Sequence, residues 1–284
     1  MTIQWFPGHM AKAKREVQEK LKLVDFVIEL VDARVPESSQ NPMLQQVLQG
    51  KPVMRVLMKK DLADFEKTTK WIDHFKRENT PAVAVNVQEK QDIQQVINLA
   101  KEMGREKMKK LEKKGVRPRP ARAMIIGIPN VGKSTLINRL ANKKIAKTGD
   151  RPGVTTSQQW IKVKKDFELL DTPGILWPKF EDQLVGYRLA AIGTIKDQLL
   201  PMDDIAVFIL RFLGENYPEI MENRFKISRN QEDMEEIFSD IGKARGALES
   251  GGKVNFDKTA DIVIRDLRTG KLGRITLEDP PSIS

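Results

Sequence analysis

Short apolar runs alternate with helical patterns over the first part of the chain. Helical patterns near 41–49 and 65–78 separate the runs, and a longer one extends from Asp92 to about Lys114. The runs predict three buried parallel strands, at Phe26 to Val31, Val53 to Leu57 and Ala82 to Val85. Strands that alternate with helices in this way predict an α/β fold with a doubly wound, mostly parallel sheet.

The pattern changes after Pro178, where only helical periodicities follow. They lie near 181–190, 203–213 and 231–246, with a mixed stretch from Asp261. We therefore expect two domains: an α/β domain at residues 1–178, and a smaller, mainly α-helical domain at residues 179–284.

One segment of the first domain, residues 101–122, is strongly basic. It holds ten Lys and Arg residues against three Glu, and its end, from Gly115 to Pro120, cannot be helical. We interpret that end as a linker.

The composition narrows the class of protein without fixing it. Lys and Arg number 49 against 39 Asp and Glu, for a formal net charge of +10. This charge favours a polyanionic partner, although a basic protein without one remains the alternative.

Cysteine is absent, which excludes disulfides and thiolate metal sites and fits a reducing compartment. The first ten residues lack a secretory layout, and no apolar run reaches the roughly 18 residues of a membrane span. We expect a cytoplasmic protein without a membrane partner, and a monomer by default.

The run Gly127 to Thr135 fits the phosphate-loop pattern GxxxxGK[ST] at every fixed position. An apolar run, Ala123 to Ile126, precedes it and a helical pattern, Ser134 to Leu140, follows it, as the mechanism requires. Glycines let backbone N–H groups face phosphate oxygens, Lys133 adds a charge toward the β- and γ-phosphates, and Ser134 can ligate Mg²⁺. The candidate nucleotide-binding residues here are Pro129, Asn130, Val131, Gly132, Lys133, Ser134 and Thr135.

A second phosphate-facing motif, Asp171-Thr172-Pro173-Gly174, follows the predicted strands Trp160 to Val163 and Phe167 to Leu170. Asp171 can hold Mg²⁺ through water, and the N–H of Gly174 can meet a γ-phosphate. A turn-rich loop upstream ends in Thr155 and Thr156, either of which can supply a hydroxyl to Mg²⁺. We prefer Thr155.

Guanine recognition normally requires Asn-Lys-x-Asp at a strand end, and the candidate here is Met58-Lys59-Lys60-Asp61. The carboxylate of Asp61 would accept hydrogens from N1 and N2 of the base. Met58 stands in place of Asn, and the lost hydrogen bond should cost about 1–3 kcal/mol of nucleotide affinity. A further base contact is expected near Asn86. We expect GTP preference with weaker binding, and ATP or a relaxed purine specificity is the alternative.

This base motif lies upstream of the phosphate loop, so the motif order is circularly permuted. Such a permutation leaves the sheet intact if the original termini were close in space. At this point the chain resembles the circularly permuted GTPases of the YlqF/YawG group over essentially its full length. The resemblance is carried by Trp5 to Met10, Val31 to Arg34, Gly127 to Thr135, Thr148 to Trp160 and Leu170 to Phe180.

The resemblance implies a GTP-hydrolysing factor for late maturation of the large (50S) ribosomal subunit. Its cofactors would be GTP and Mg²⁺, and its partners a precursor of that subunit, 23S rRNA and ribosomal proteins. The helical domain would contact rRNA. The alternatives are an RNA-binding scaffold with negligible catalysis, and a GTPase in tRNA modification or signalling.

Ile175 stands where many GTPases carry the Gln that orients water. Another group must then orient it, or the isolated protein is slow and the subunit stimulates it. With Lys133 and Thr155, we name His9 as a candidate catalytic residue because it lies in a rigid Pro-Gly turn; a His that packs or faces rRNA is the alternative. In similar phosphate loops Asn at position 130 marks GTPases that bind K⁺, and a loop-bracing Asn130 is the alternative.

Overall fold

The structure is a computed structural model, and its described residues form two compact units. It describes residues 10–42, 47–48, 50–115, 117, 119–144, 160–163, 165, 167–172, 182–228, 231 and 233–281. The sheet unit contains the described residues up to Thr172 together with Glu278 to Pro281, and the helical unit contains those from 182 to 277. The domain boundary predicted after residue 178 stays a prediction.

A six-stranded sheet forms the centre of the sheet unit. Its strands are β1 (Phe26–Asp32), β2 (Val53–Met58), β3 (Ala82–Val85), β4 (Ala121–Gly127), β5 (Trp160–Val163) and β6 (Phe167–Asp171). The spatial order is β3-β2-β1-β4-β6-β5, and only β5 runs antiparallel to its neighbour. All six predicted strands and the mostly parallel sheet are confirmed.

Helix α1 (Met10–Leu21) precedes β1. Helices at the predicted places follow the later strands: α2 (Phe65–Arg77) follows β2, α3 (Lys90–Glu112) follows β3 and α4 (Lys133–Ala141) follows β4. Asp64 begins α2, where its side chain accepts a hydrogen bond from the backbone N–H of Lys67 at 3.0 Å. The helical pattern near 41–49 lies partly outside the described residues.

Helices cover both faces of the sheet, and this explains the continuous apolar runs. Every residue of β1 is buried. On one face, Val27 belongs to a cluster with Val17 of α1, while Trp71 of α2 belongs to the neighbouring cluster. On the other face, Gly104 of α3 approaches β4 so closely that a Cβ there would lie 2.5 Å from the Cβ of Ala121.

The helical unit confirms the all-helical pattern. Its main helices are α5 (Gln183–Ala191), α6 (Met202–Asn216), α7 (Met234–Arg245) and α8 (Phe256–Arg268), with a short turn, Pro218–Ile220, that continues into a π-helical turn, Met221–Phe225. Helix α8 begins before the mixed stretch predicted from Asp261, because Asn255 caps it by accepting from the N–H of Lys258 at 2.8 Å. Among the described residues, no helix is both long and apolar enough to cross a membrane.

Candidate nucleotide-binding site

The carboxyl ends of the parallel strands meet at one edge of the sheet, where α/β folds commonly bind ligands. In the strand register, Asp32 pairs with Met58, and Met58 pairs with Val85. Likewise Leu30 pairs with Gly127. The predicted base motif, the region near Asn86 and the phosphate loop each follow one of these strand ends. The sheet therefore brings motifs that are distant in the sequence to the same edge.

The phosphate loop has the backbone that its glycines predict. Gly127 lies against β1, since a Cβ there would be 3.1 Å from both the Cβ and the carbonyl oxygen of Leu30. Gly132 has φ +102°, a value that L side chains rarely adopt, and it begins α4. Asn130 is exposed and left-handed at φ 61°, while Pro129 and Val131 are buried.

Lys133, Ser134 and Thr135 form the first turn of α4. Backbone N–H groups in a first turn have no partner within their own helix, so they are available to an anion. Ser134 and Thr135 are half-buried, and the side chain of Lys133 is almost completely buried.

Lys133 and Asp171 are joined directly, although they come from different motifs. The ammonium of Lys133 forms an ion pair with Oδ1 of Asp171, and both side chains are buried. Burial lowers the pKa of Lys133, and the Asp171 carboxylate opposes that shift. The next residue, Thr172, anchors the end of β6 by donating from Oγ1 to the carbonyl of Ile125 at 2.7 Å.

The base motif contacts the phosphate loop through Met58. This side chain is buried at the end of β2, and a Cβ on Gly132 would lie 3.1 Å from its Cε. Lys59 is left-handed at φ 60° and precedes a 3-10 turn, Lys60–Leu62. Asp61 lies exposed on that turn.

Asp32, which ends β1, holds the side chain of Lys59. Its Oδ2 lies 3.0 Å from the Lys59 ammonium, and the guanidinium of Arg34 binds both of its oxygens, at 2.9 and 2.8 Å. Burial alone would raise the pKa of Asp32, but the charges of Arg34 and Lys59 hold it well below its usual range. Burial also lowers the pKa of Lys59, against the charge of Asp32. Sequence reasoning gave Asp32 no role; the available signal was an acid at the end of an apolar strand.

A second acid that sequence reasoning missed, Asp92, connects Lys60 with Asn86. The Lys60 ammonium lies 2.7 Å from Oδ2 of Asp92, and the same oxygen accepts from the backbone N–H of Asn86 at 2.8 Å. The side chain of Asn86 in turn accepts from the N–H of Gln88 at 3.0 Å. Asp92 lies in the first turn of α3. An acid at that position is common in helices, so the sequence did not indicate this contact.

The remaining candidates, His9, Thr155 and Gly174, lie outside the described residues, as does Thr156. The roles assigned to them, and to the site residues described above, stay predictions.

Fold and site together define a circularly permuted P-loop GTPase. Residues 122–243 match the family model described as 50S ribosome-binding GTPase. The chain is 57% identical over 280 residues to Ribosome biogenesis GTPase A of Bacillus licheniformis. The alignment covers 99% of this chain and 99% of the relative. The chain therefore belongs to the ribosome biogenesis GTPase A family, as its resemblance to the YlqF/YawG group indicates, and it is a GTP-binding GTPase.

More distant relatives agree with this assignment. The chain is 30% identical over 282 residues to Ribosome biogenesis GTPase A of Thermotoga maritima, covering 99% of this chain and 96% of the relative. The crystal structure of GNP-bound YlqF from T. maritima aligns with a TM-score of 0.67 at 27% identity, over 96% of this chain and 100% of the other. The GDP-bound structure of that protein aligns with a TM-score of 0.62, over 94% of this chain and 99% of the other.

Proposed function

We propose that this GTPase acts in late maturation of the 50S ribosomal subunit and that its nucleotide state switches its contact with rRNA. The observation that carries the nucleotide part is the ion pair between Lys133 and Asp171, which joins the two phosphate-facing motifs. The family membership supports the ribosomal part.

The buried ion pair supports the predicted Mg²⁺ site. Phosphate oxygens of GTP would compete with Asp171 for the Lys133 ammonium. A buried carboxylate that loses its cation is costly, so Asp171 then favours another cation. Carboxylate and hydroxyl oxygens suit Mg²⁺, and Asp171 and Ser134 are the described residues that would hold it. Mg²⁺ held there would neutralise charge on the phosphates.

Guanine recognition is proposed for the exposed turn after β2. Asp61 would accept from N1 and N2 of the base, and Lys59 would lie along the nucleotide with its ammonium held by Asp32 at 3.0 Å. Asn86 would contribute from the end of β3. Met58 completes this side of the site without a hydrogen-bond donor.

The remaining roles rest on the sequence motifs. His9 would help to orient water, Thr155 would close on Mg²⁺, Gly174 would meet the γ-phosphate, and Asn130 would bind K⁺ beside the phosphates. With Ile175 in place of Gln, the isolated protein should turn over slowly.

Contact with rRNA is supported by a surface of α3 and the turn after it, which we call the basic face of α3. Its members are exposed: Arg105, Lys107, Lys109, Lys110, Lys113, Lys114 and Arg117. Within the described residues none of them forms an ion pair, so their charges are available to RNA phosphates. Helix α3 leads into the start of β4, so this face lies at the sheet edge opposite the nucleotide site.

Arginines of the helical unit are less available. Arg224 binds the buried Asp266 at 2.6 Å, and Arg268 binds both oxygens of Asp197 at 2.8 and 2.9 Å. These side chains hold the unit together. RNA contact by the helical unit, which the resemblance implies, would depend on its other exposed cations, such as Lys226, Lys243, Arg265 and Lys271.

The test is GTP turnover with and without purified 50S subunits, in K⁺ and in Na⁺ buffer. We expect slow turnover alone, stimulation by the subunit, and faster turnover in K⁺. Lys133→Ala, checked for folding by circular dichroism, serves as the blank.

Bound GTP without turnover in either condition would contradict the proposal and favour an RNA-binding scaffold, to which Met58 and Ile175 already point. Equal turnover in K⁺ and Na⁺ would exclude only the role of Asn130.

A further inference from the structure

Glu278 makes an unusual set of contacts for a residue near the end of the chain. It directly follows the last residue of the helical unit, yet it belongs to the sheet unit. Its carboxylate is buried and accepts hydrogen bonds from the backbone N–H groups of Glu37 and Ser38, at 2.5 and 3.0 Å. It also accepts from Oγ of Ser38 at 2.6 Å, and its carbonyl oxygen accepts from Nε1 of Trp71 at 3.2 Å.

These contacts join the chain segments on either side of the base motif. Ser38 lies in the turn that follows β1. Trp71 is completely buried on α2, which follows β2 and the base motif. Glu278 therefore links the turn after β1 to α2, the two elements that flank residues 58–61 in the chain.

The turn after β1 is hydrogen-bonded to Asp32, the residue that holds Lys59. Oγ of Ser39 accepts from the backbone N–H of Asp32 at 2.9 Å and donates to the carbonyl of Val35 at 2.6 Å. Asp32 then pairs with Lys59 at 3.0 Å. A shift of the turn would move Asp32 and, with it, Lys59.

We propose that Glu278 is a positioning residue for the base side of the nucleotide site. It fixes the turn at 36–39 against α2 and so keeps Lys59 and Asp61 in place for guanine. This inference rests on the proposed role of residues 59–61. Because the described contacts of Glu278 lie at the turn after β1 and on α2, the tie should affect the binding of GDP and GTP equally and leave the chemical step unchanged.

The test uses the full chain with Glu278→Ala and Glu278→Gln. We measure the Kd of fluorescent GDP and GTP analogues, and KM and kcat in the presence of 50S subunits. For Glu278→Ala we expect the Kd of both nucleotides and the KM of GTP to rise about tenfold, equivalent to about 1.4 kcal/mol, with kcat unchanged. Glu278→Gln keeps one acceptor oxygen and should lose less.

Asp279→Asn is the matched control. Asp279 is the next residue and pairs with Lys67 on α2 at 2.9 Å, but it is largely exposed. Among the described residues no hydrogen bond or ion pair joins it to the turn after β1. Its removal should leave Kd, KM and kcat unchanged.

A purely structural tie would lower the Tm of Glu278→Ala while the Kd of the folded protein stayed the same, and that result would overturn the inference. If Glu278→Ala fails to fold, Ser38→Ala removes a single hydrogen bond to the carboxylate and should raise Kd about threefold. An unchanged Kd would again overturn the inference. Failure of the wild type to respond to the subunit would instead count against the proposed function.

Discussion

Met58 is the residue at which the base motif and the phosphate loop touch, and its side chain lacks a hydrogen-bond donor. It is buried, with its Cε close to the backbone of Gly132. Met58→Asn should therefore place an amide where it can bond to the loop or the purine. We expect the Kd for GDP and GTP to fall about tenfold, since a new hydrogen bond of about 1.4 kcal/mol exceeds the residual cost of burying the amide. Equilibrium titration measures this change.

Met58→Leu is the control, because it keeps a similar apolar volume and adds no donor. Its Kd should match that of the wild type. If Asn and Leu both weaken binding, the packing of Met58 against Gly132 matters more than the absent donor, and the expected gain is wrong.

At the scale of single residues, the sequence predicts site residues that lie within one motif. It does not predict contacts between residues that are far apart in the chain. Fixed spacing within one loop was enough to select Lys133 and Ser134 as candidates. The partners of the base motif and of the turn after β1 could not be predicted in this way, because Asp92 lies 32 residues from Lys60 and Glu278 lies 240 residues from Ser38. Nothing in the local pattern distinguishes these acids from solvated ones.

At the scale of elements, the packing of α3 against the sheet depends on one glycine. A Cβ on Gly104 would lie 2.5 Å from the Cβ of Ala121, which cannot rotate away. Gly104→Ala should gain about 1 kcal/mol in helix propensity, but overpacking typically costs about 1–3 kcal/mol. We expect a net loss of about 1 kcal/mol in the free energy of unfolding, measured by urea denaturation.

The compensating pair Gly104→Ala with Ala121→Gly checks the cause. It restores the space at the contact, so it should recover stability relative to Gly104→Ala alone, less the cost of a glycine at the start of β4. A single Gly104→Ala variant that is more stable than the wild type would show that α3 can shift at no cost.

The bounds of an element could be predicted where burial sets the apolar pattern. They were harder to predict where a helix-capping side chain sets the first residue. Strands such as β1 are buried on both faces, so their apolar runs mark them within a residue or two. The start of α8 depends on Asn255, whose side chain caps the helix, while the first helical residue, Phe256, is exposed. Apolar periodicity therefore gave only a mixed stretch from Asp261, inside this helix.

At the scale of the whole molecule, the parallel strands separate two surfaces of the sheet unit. The nucleotide site follows the carboxyl ends of the strands, and the basic face of α3 lies near their beginnings. If RNA binds this face, its contribution to subunit binding should not depend on nucleotide state, whereas the proposed nucleotide-controlled contact with rRNA should. Salt dependence can separate the two contributions, because each phosphate contact releases counterions.

We therefore expect Lys110→Gln, Lys113→Gln and Lys114→Gln together to reduce the slope of log K for 50S binding against log salt by about 2 to 3, at about 0.7–0.9 per contact. The reduction should be the same with GDP and with a non-hydrolysable GTP analogue. Glutamine keeps the helix propensity of lysine, so α3 should persist. The triple variant Lys70→Gln, Lys76→Gln and Lys90→Gln removes the same charge from exposed positions of the same unit. Equal slopes for the two variants would mean that net charge alone acts, and the basic face of α3 would then not be a binding surface.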